Sequence, residues 1–303
     1  MQMGSELSRD VTASGVRLRV AEWPAREASP TADATPHSER APSSTREAAR
    51  PPVVLLHGLF QNRTSWQPLA RVCDGAYRFV APDLPGFGDS EKPGPNRYPY
   101  GIEAFSEAVA DMFGGLEIGR AHLVGHGLGG AVALHLAARH PELVARLVLL
   151  DSVCYPSPLH PKLRLAATPL LGGLLFKQLL GRGAFRAFYR DRIGPRADGR
   201  LIDGYYDSLD TPAARGALLA TLRATLDTRS VVADSRRIQA PTLVLWGRDD
   251  RVVPAGFGRR LAKEIPAAGF ELVDAGHAAH EEEPADVWRS VSRFLEGKRA
   301  GSR

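Results

Sequence analysis

Residues able to carry covalent or proton-transfer chemistry sit in a few short, glycine-punctuated segments of this chain. The most informative is Ala121-His-Leu-Val-Gly-His-Gly-Leu-Gly-Gly-Ala-Val-Ala-Leu134. An apolar run meets a glycine-lined turn and then a helical pattern. A G-x-S-x-G turn of this kind lifts a serine nucleophile above the end of a buried strand, where a histidine can activate it. Gly125 and Gly129 are the small flanks that let strand and helix approach each other. Gly127 stands where that motif has serine, and glycine offers no atom to acylate. An unrelated glycine-rich turn gives the same short pattern. Two further loops bring carboxylates and imidazoles: Trp246–Pro254 with Asp249 and Asp250, and Val273–Pro284 with His277 and His280. His277 and His280 lack the H-E-x-x-H spacing of a metal protease, so neither a metal nor a cofactor is expected. Cys73 and Cys154 are too few for a disulfide framework and read as small buried hydrophobes.

Loops so far apart in sequence need a frame that brings them together. Val16–Glu22 alternates apolar and charged residues, which predicts a strand. From Val53 onward, short continuous apolar runs recur at Val53–Leu56, Arg78–Ala81, His122–Val124, Leu147–Leu150, Thr242–Trp246 and Phe270–Val273. Helical periodicity separates or follows them at Ile102–Leu116, Leu128–His140, Gly256–Glu264 and Pro284–Leu295. Strands apolar on both faces, alternating with helices, predict an α/β fold: a mostly parallel twisted sheet with helices on both faces. The strand rhythm stops between Asp151 and Ala240. There Pro161–Leu180, Ala184–Asp191, Ala197–Leu209 and Pro212–Thr228 read as helices. Such an insertion would cover the carboxyl edge of the sheet, where ligands bind in open α/β sheets.

Pro24–Pro52 contains no large apolar residue. A stretch of this kind cannot offset its ordering entropy, so it is expected to be a flexible insertion. The expected organisation is therefore an N-terminal strand region over 1–23, the low-complexity insertion over 24–52, an α/β core over 53–153 and 241–303, and a helical cap over 154–240.

With 44% hydrophobic residues the chain can bury a sizeable core. Its net charge of +5 is spread along the sequence, without the basic cluster of a nucleic-acid-binding face, so no nucleic-acid partner is expected. Leu165–Leu180 is interrupted by Pro169, Gly172, Gly173 and Lys177 and is too short and broken to span a bilayer. It also has little polar face with which to lie in a membrane interface, so membrane contact is not expected. Met1–Asp10 holds no apolar stretch of the secretory type, and a soluble, cytoplasmic protein is expected.

Taken together, the segments resemble the α/β-hydrolase family, in the branch with a helical cap inserted after the sixth strand. The resemblance runs from about Val16 to Leu295, interrupted at 24–52. Leu55-Leu-His-Gly-Leu-Phe60 is similar to the family's strand-ending His-Gly turn. That similarity implies an oxyanion hole made by the backbone N–H groups of Leu59 and of Leu128, the latter at a helix N-terminus. It gives His57 a structural role and leaves Trp66 in the core. Ala81-Pro-Asp-Leu-Pro-Gly-Phe-Gly-Asp-Ser90 resembles the family's D-x-x-G-x-G-x-S turn, in which Asp83 would bond neighbouring backbone amides. Trp246–Pro254 looks like the family's acid turn and implies Asp250 as the acid. Val273–Pro284 resembles its histidine loop and implies His277 as the base, with His280 structural or cap-facing. The chain order of elbow, acid and histidine is the family's own. Asp151 follows the sixth strand, where some family members carry an auxiliary acid; with Ser152 and Cys154 it is read as a strand-end residue. His126 also occurs in the ordinary serine motif and is no replacement nucleophile.

Three readings follow. An Asp250–His277 dyad could run acid/base or water-activating chemistry, of hydrolase or lyase type, on a small hydrophobic substrate. The same scaffold could be catalytically inactive and bind a ligand or partner. Or the natural protein carries serine and this chain is a variant. The cap segment holds 14 Lys and Arg against 7 Asp and Glu, and leucines from Leu163 to Leu180 crowd its first helix. That helix is read as packing over the sheet, and as a greasy, basic lid it would admit a hydrophobic or anionic substrate such as an acyl chain.

Overall fold

Eight strands form one sheet: β1 (Leu7–Ala13), β2 (Val16–Trp23), β3 (Val53–Leu56), β4 (Phe79–Pro82), β5 (Ala121–His126), β6 (Val144–Leu150), β7 (Thr242–Gly247) and β8 (Gly269–Val273). The computed structural model describes residues 6–25, 50–155 and 181–298. Most of the low-complexity insertion and all of the expected helix over 161–180 lie outside the described residues. The strand order is β1-β2-β4-β3-β5-β6-β7-β8. β2 pairs antiparallel with both β1 and β4, and the remaining neighbours are parallel.

The alternation within each parallel strand sorts side chains to two faces. Val54, Leu56, Leu123, Leu147 and Val244 join one buried cluster, with α2 (Ile102–Gly115), α3 (Leu128–Arg139) and the late helix at Ala255–Glu264. Val53, Leu55, Val124, Val148 and Leu245 join a second cluster with α1 (Gln67–Val72) and the terminal helix at Pro284–Leu295. Both faces are thus covered, which is why the strands read as unbroken apolar runs.

β1 is a strand that apolar patterning did not predict. Its first four residues are exposed, so an edge strand leaves almost no hydrophobic signal. Its register comes from the turn: Ser14 and Gly15 both have positive φ (48° and 70°), the geometry of a two-residue hairpin loop.

Chain order fixes where a site can form. From β3 the chain passes to β4 on one side and then to β5 on the other. That reversal opens a crevice beyond the carboxyl ends of β3 and β5. The loops bearing Leu59, Gly127, Asp250 and His277 leave strands at this same edge.

Between β6 and β7 stand the cap helices α4 (Arg182–Arg192), α5 (Gly199–Leu209), α6 (Pro212–Ala224) and α7 (Arg229–Ser235). Asp198 and Thr211 cap α5 and α6 by accepting from Arg200 N and Ala214 N. The single helix expected over Pro212–Thr228 ends at Ala224, and α7 begins after it. Continuing the core, α8 is Ala255–Glu264, α9 is Ala279–Glu282 and α10 is Pro284–Leu295. Among the described residues no helix is long and apolar enough to cross a membrane.

Candidate active site

The turn from β5 into α3 is made by Gly127, at φ 53° and ψ −113°. L-residues rarely adopt that backbone, and glycine does so without strain. Gly129 is small for a different reason: a Cβ there would lie 2.2 Å from the Leu56 carbonyl oxygen. The helix therefore starts hard against the end of β3. Backbone bonds lock the turn, from Gly127 N to Leu150 O (3.0 Å) and from Gly129 N to His57 O (3.1 Å). The N–H groups of Leu59 and Leu128 take no backbone acceptor among the described residues.

His277 leaves the β8 loop with its ring toward this turn. A Cβ built on Gly127 would lie 3.5 Å from His277 Nε2 and 3.6 Å from Gly58 Cα, ordinary van der Waals contacts. His277 Nδ1–H donates to Asp250 Oδ2 at 2.8 Å, and both side chains are buried. Because Nδ1 carries the proton, Nε2 is left as a lone pair facing Gly127. Asp250 is held in turn: its Oδ1 accepts from Val252 N (2.7 Å) and Val253 N (2.9 Å). Asp249 is exposed.

Asp151 contributes more than a strand end. It is fully buried at φ 48°, with Oδ1 accepting the Gly247 N–H at 2.7 Å. Donor atoms of Asp151, Asp250 and His277 all lie within 4.8 Å of one another. Burial first, and then the Asp250 carboxylate, push the Asp151 carboxyl well above the usual range. In its protonated form it can give Asp250 a hydrogen bond. Asp151 Oδ2 is buried without a hydrogen-bond partner among the described residues.

The raised carboxyl has a measurable consequence. A group whose folded pKa exceeds its unfolded one stabilises most below the unfolded value, about 3.9. That stability is lost as pH climbs toward the raised folded value. Asp151→Asn keeps the shape, removes the ionisation and tolerates the positive φ. Thermal melts from pH 5 to 9 should show a flatter stability profile for the variant, with its Tm at pH 8 above that of the native chain by about 3 °C or more.

The other histidines are tied into the frame. His57 Nε2 accepts from Leu84 N (3.0 Å), while Nδ1–H donates to the Gly58 carbonyl (2.9 Å). Burial pushes its pKa down, so it stays neutral with both nitrogens in use, a structural part. His126 reaches the His277 carbonyl through Nε2 at 2.8 Å and joins the elbow to the histidine loop. His280 is wholly buried between the rings of Trp66 and His126, 4.3 and 4.5 Å away, its pKa driven down to about 3 by burial. Asp83 accepts Arg63 N and Asp89 N, both at 2.7 Å, and pairs with the Arg63 guanidinium. Cys73 and Cys154 are free and buried, and burial pushes the Cys154 thiol up to about 12. Cys154 is thus no thiolate nucleophile.

One buried network leaves no local mark in the sequence. Glu281 Oε1 accepts from Gln61 Nε2 (2.7 Å), Tyr189 OH (2.8 Å) and Tyr205 OH (2.8 Å). In the chain it is one of three consecutive glutamates, a run that reads as a solvated turn, and its partners are distant in sequence.

The family described as alpha/beta hydrolase fold matches residues 51–284. The chain is 30% identical to a 2-hydroxymuconate semialdehyde hydrolase of Pseudomonas sp. (strain CF600), over 80% of this chain and 86% of that one. It is also 30% identical to the magnesium-chelatase 30 kDa subunit of Rhodobacter capsulatus, over 84% and 89% of the respective chains. A thermophilic esterase from Thermogutta terrifontis superposes with a TM-score of 0.73 at 22% identity, covering 96% of this chain and 98% of that structure.

Proposed function

The chain belongs to the alpha/beta hydrolase fold family, and from that premise we propose that it runs hydrolase-type acid/base chemistry with no serine nucleophile. Gly127 occupies the nucleophile's position. His277 is the base, Asp250 orients it, and the N–H groups of Leu59 and Leu128 form the oxyanion hole. The observation that carries the reading is the space in front of the base. The Nε2 lone pair faces a position where a Cβ would fit at 3.5 Å, and Gly127 fills it with nothing.

In this reading one water sits in that space, held by His277 Nε2 and the two amides. His277 Nε2 takes a proton from this water while its oxygen bonds to the substrate carbonyl carbon. The carbonyl oxygen becomes the oxyanion and accepts hydrogen bonds from the two amides, helped by the N-terminal dipole of α3. The imidazolium, steadied by Asp250, then returns the proton to the leaving group as the bond to carbon breaks. The substrate would be a small, hydrophobic carbonyl compound. The relative from Pseudomonas is named for the hydrolysis of a semialdehyde, which supports a small carbonyl compound.

A second reading, a catalytically inactive homologue that binds a ligand or partner, has one observation in its favour: the turn presents no hydroxyl or thiol. The two readings separate on the native chain. Assayed on short activated esters, His277→Ala should lower turnover by about 10²–10⁴, the usual worth of general-base catalysis. Unchanged turnover in a folded His277→Ala protein would remove the catalytic reading and favour the binding one.

A further inference from the structure

The Glu281 carboxyl is a buried node at the seam between cap and core, a seam also crossed by Arg196 to Glu282 and Glu283 and by Ala278 N–H to the Ile193 carbonyl. Two of its donors come from the cap, Tyr189 on α4 and Tyr205 on α5. The third, Gln61, lies on the loop after β3 beside Leu59. Gln61 Nε2 also reaches Tyr189 OH at 2.9 Å, and its Oε1 accepts Gly58 N–H at 2.9 Å and faces His126 Nδ1 at 2.8 Å. Glu281 itself sits on α9, which follows His277 directly. One side chain therefore ties the cap to the β3 loop and the histidine loop.

We propose that Glu281 is a proton-sensitive tether: it holds the cap closed on the carboxyl edge of the sheet, and the cap opens more readily as the pH rises. The tether stands whether or not Gly127 replaces a nucleophile. Closed, the carboxyl is sealed from water; its charged form loses more by burial than its three donors return. Opening the cap removes Tyr189 and Tyr205 and admits water, so the ionised form is favoured in the open state. Burial accordingly holds the closed-state carboxyl at about 7.

The surrounding groups do not reverse this sign. Tyr189 and Tyr205 are themselves pushed up by burial and remain protonated donors. On its own helix, His280 lies 3.9 Å away and is neutral. Glu282 opposes ionisation of Glu281 and is itself paired with Arg196. His126 reaches Glu281 only through the Gln61 amide.

Linkage sets the size of the effect. A carboxyl near 7 when closed and near its ordinary value when open raises the opening equilibrium about ten-fold from pH 6 to pH 8. Hydrogen exchange of the full chain, read on peptides over 182–209 and corrected for the intrinsic pH dependence of amide exchange, measures it directly. The native chain should show the ten-fold rise, and Glu281→Gln should show none. Tyr205→Phe removes one donor from the carboxylate and should carry the upper end of the rise about one pH unit higher; it serves equally if Glu281→Gln does not fold. A flat native profile, a rise that persists in Glu281→Gln, or an unmoved midpoint in Tyr205→Phe would each overturn the tether.

Discussion

Gly127→Ser should turn this chain into a serine esterase, with turnover of short activated esters rising by about 10²–10⁴ over the native protein. A complete triad loses about 10⁶ in turnover when its nucleophile is removed, and a serine introduced on a turn shaped for glycine should recover only part of that. Little else in the proposed site needs to move. A Cβ at Gly127 meets His277 Nε2 at 3.5 Å and no closer atom, so a hydroxyl on it can turn toward the lone pair. The turn already holds φ 53° and ψ −113°, and placing an L-residue there costs about 1–3 kcal/mol. A fall in Tm should therefore accompany the gain in rate. Steady-state kinetics and a thermal melt on the same preparation check both.

The second large effect is expected in that serine background. Adding Asp250→Asn should lower kcat by about 10³–10⁴, with KM little changed, by reversing the tautomer of His277. Asp250 Oδ1 accepts the Val252 and Val253 N–H groups, so an amide oxygen stays on that side. The amide nitrogen then faces His277 Nδ1, where a donor now meets a donor. The imidazole responds by carrying its proton on Nε2, and the lone pair leaves the nucleophile. Adding His277→Ala instead should cost a similar factor, and the two losses should not add, because acid and base act as one unit. A small effect from Asp250→Asn would mean that the carboxylate only packs against the ring.

Much of the frame is legible in the amino-acid order because burial on two faces leaves a strong signal. The runs at Val53–Leu56 and Thr242–Trp246 are continuous for that reason, and both are strands. β1 is not legible, because an exposed edge strand owes its place to a Ser14-Gly15 hairpin and pairing with β2. In the cap, the helix that the pattern extends to Thr228 stops at Ala224; the next helix packs separately on α3. Site residues divide the same way. His277, Asp250 and Gly127 lie in glycine-marked loops whose local pattern sets them apart, and the fold brings their atoms together. Asp151 and Glu281 carry no such mark. What makes each unusual is a neighbour far along the chain, Asp250 for the first and Tyr189, Tyr205 and Gln61 for the second. Raised carboxyl pKa values of this kind arise from tertiary burial, which no window of sequence contains.

The most direct measurement is intact-protein mass after exposure to a serine-directed phosphonate, run in parallel on the native chain and on Gly127→Ser. The native chain should stay unlabelled, while the variant should take up one equivalent on its introduced hydroxyl. An adduct on the native chain, or a folded Gly127→Ser protein that stays unlabelled, would contradict a base and two amides poised around an empty nucleophile position.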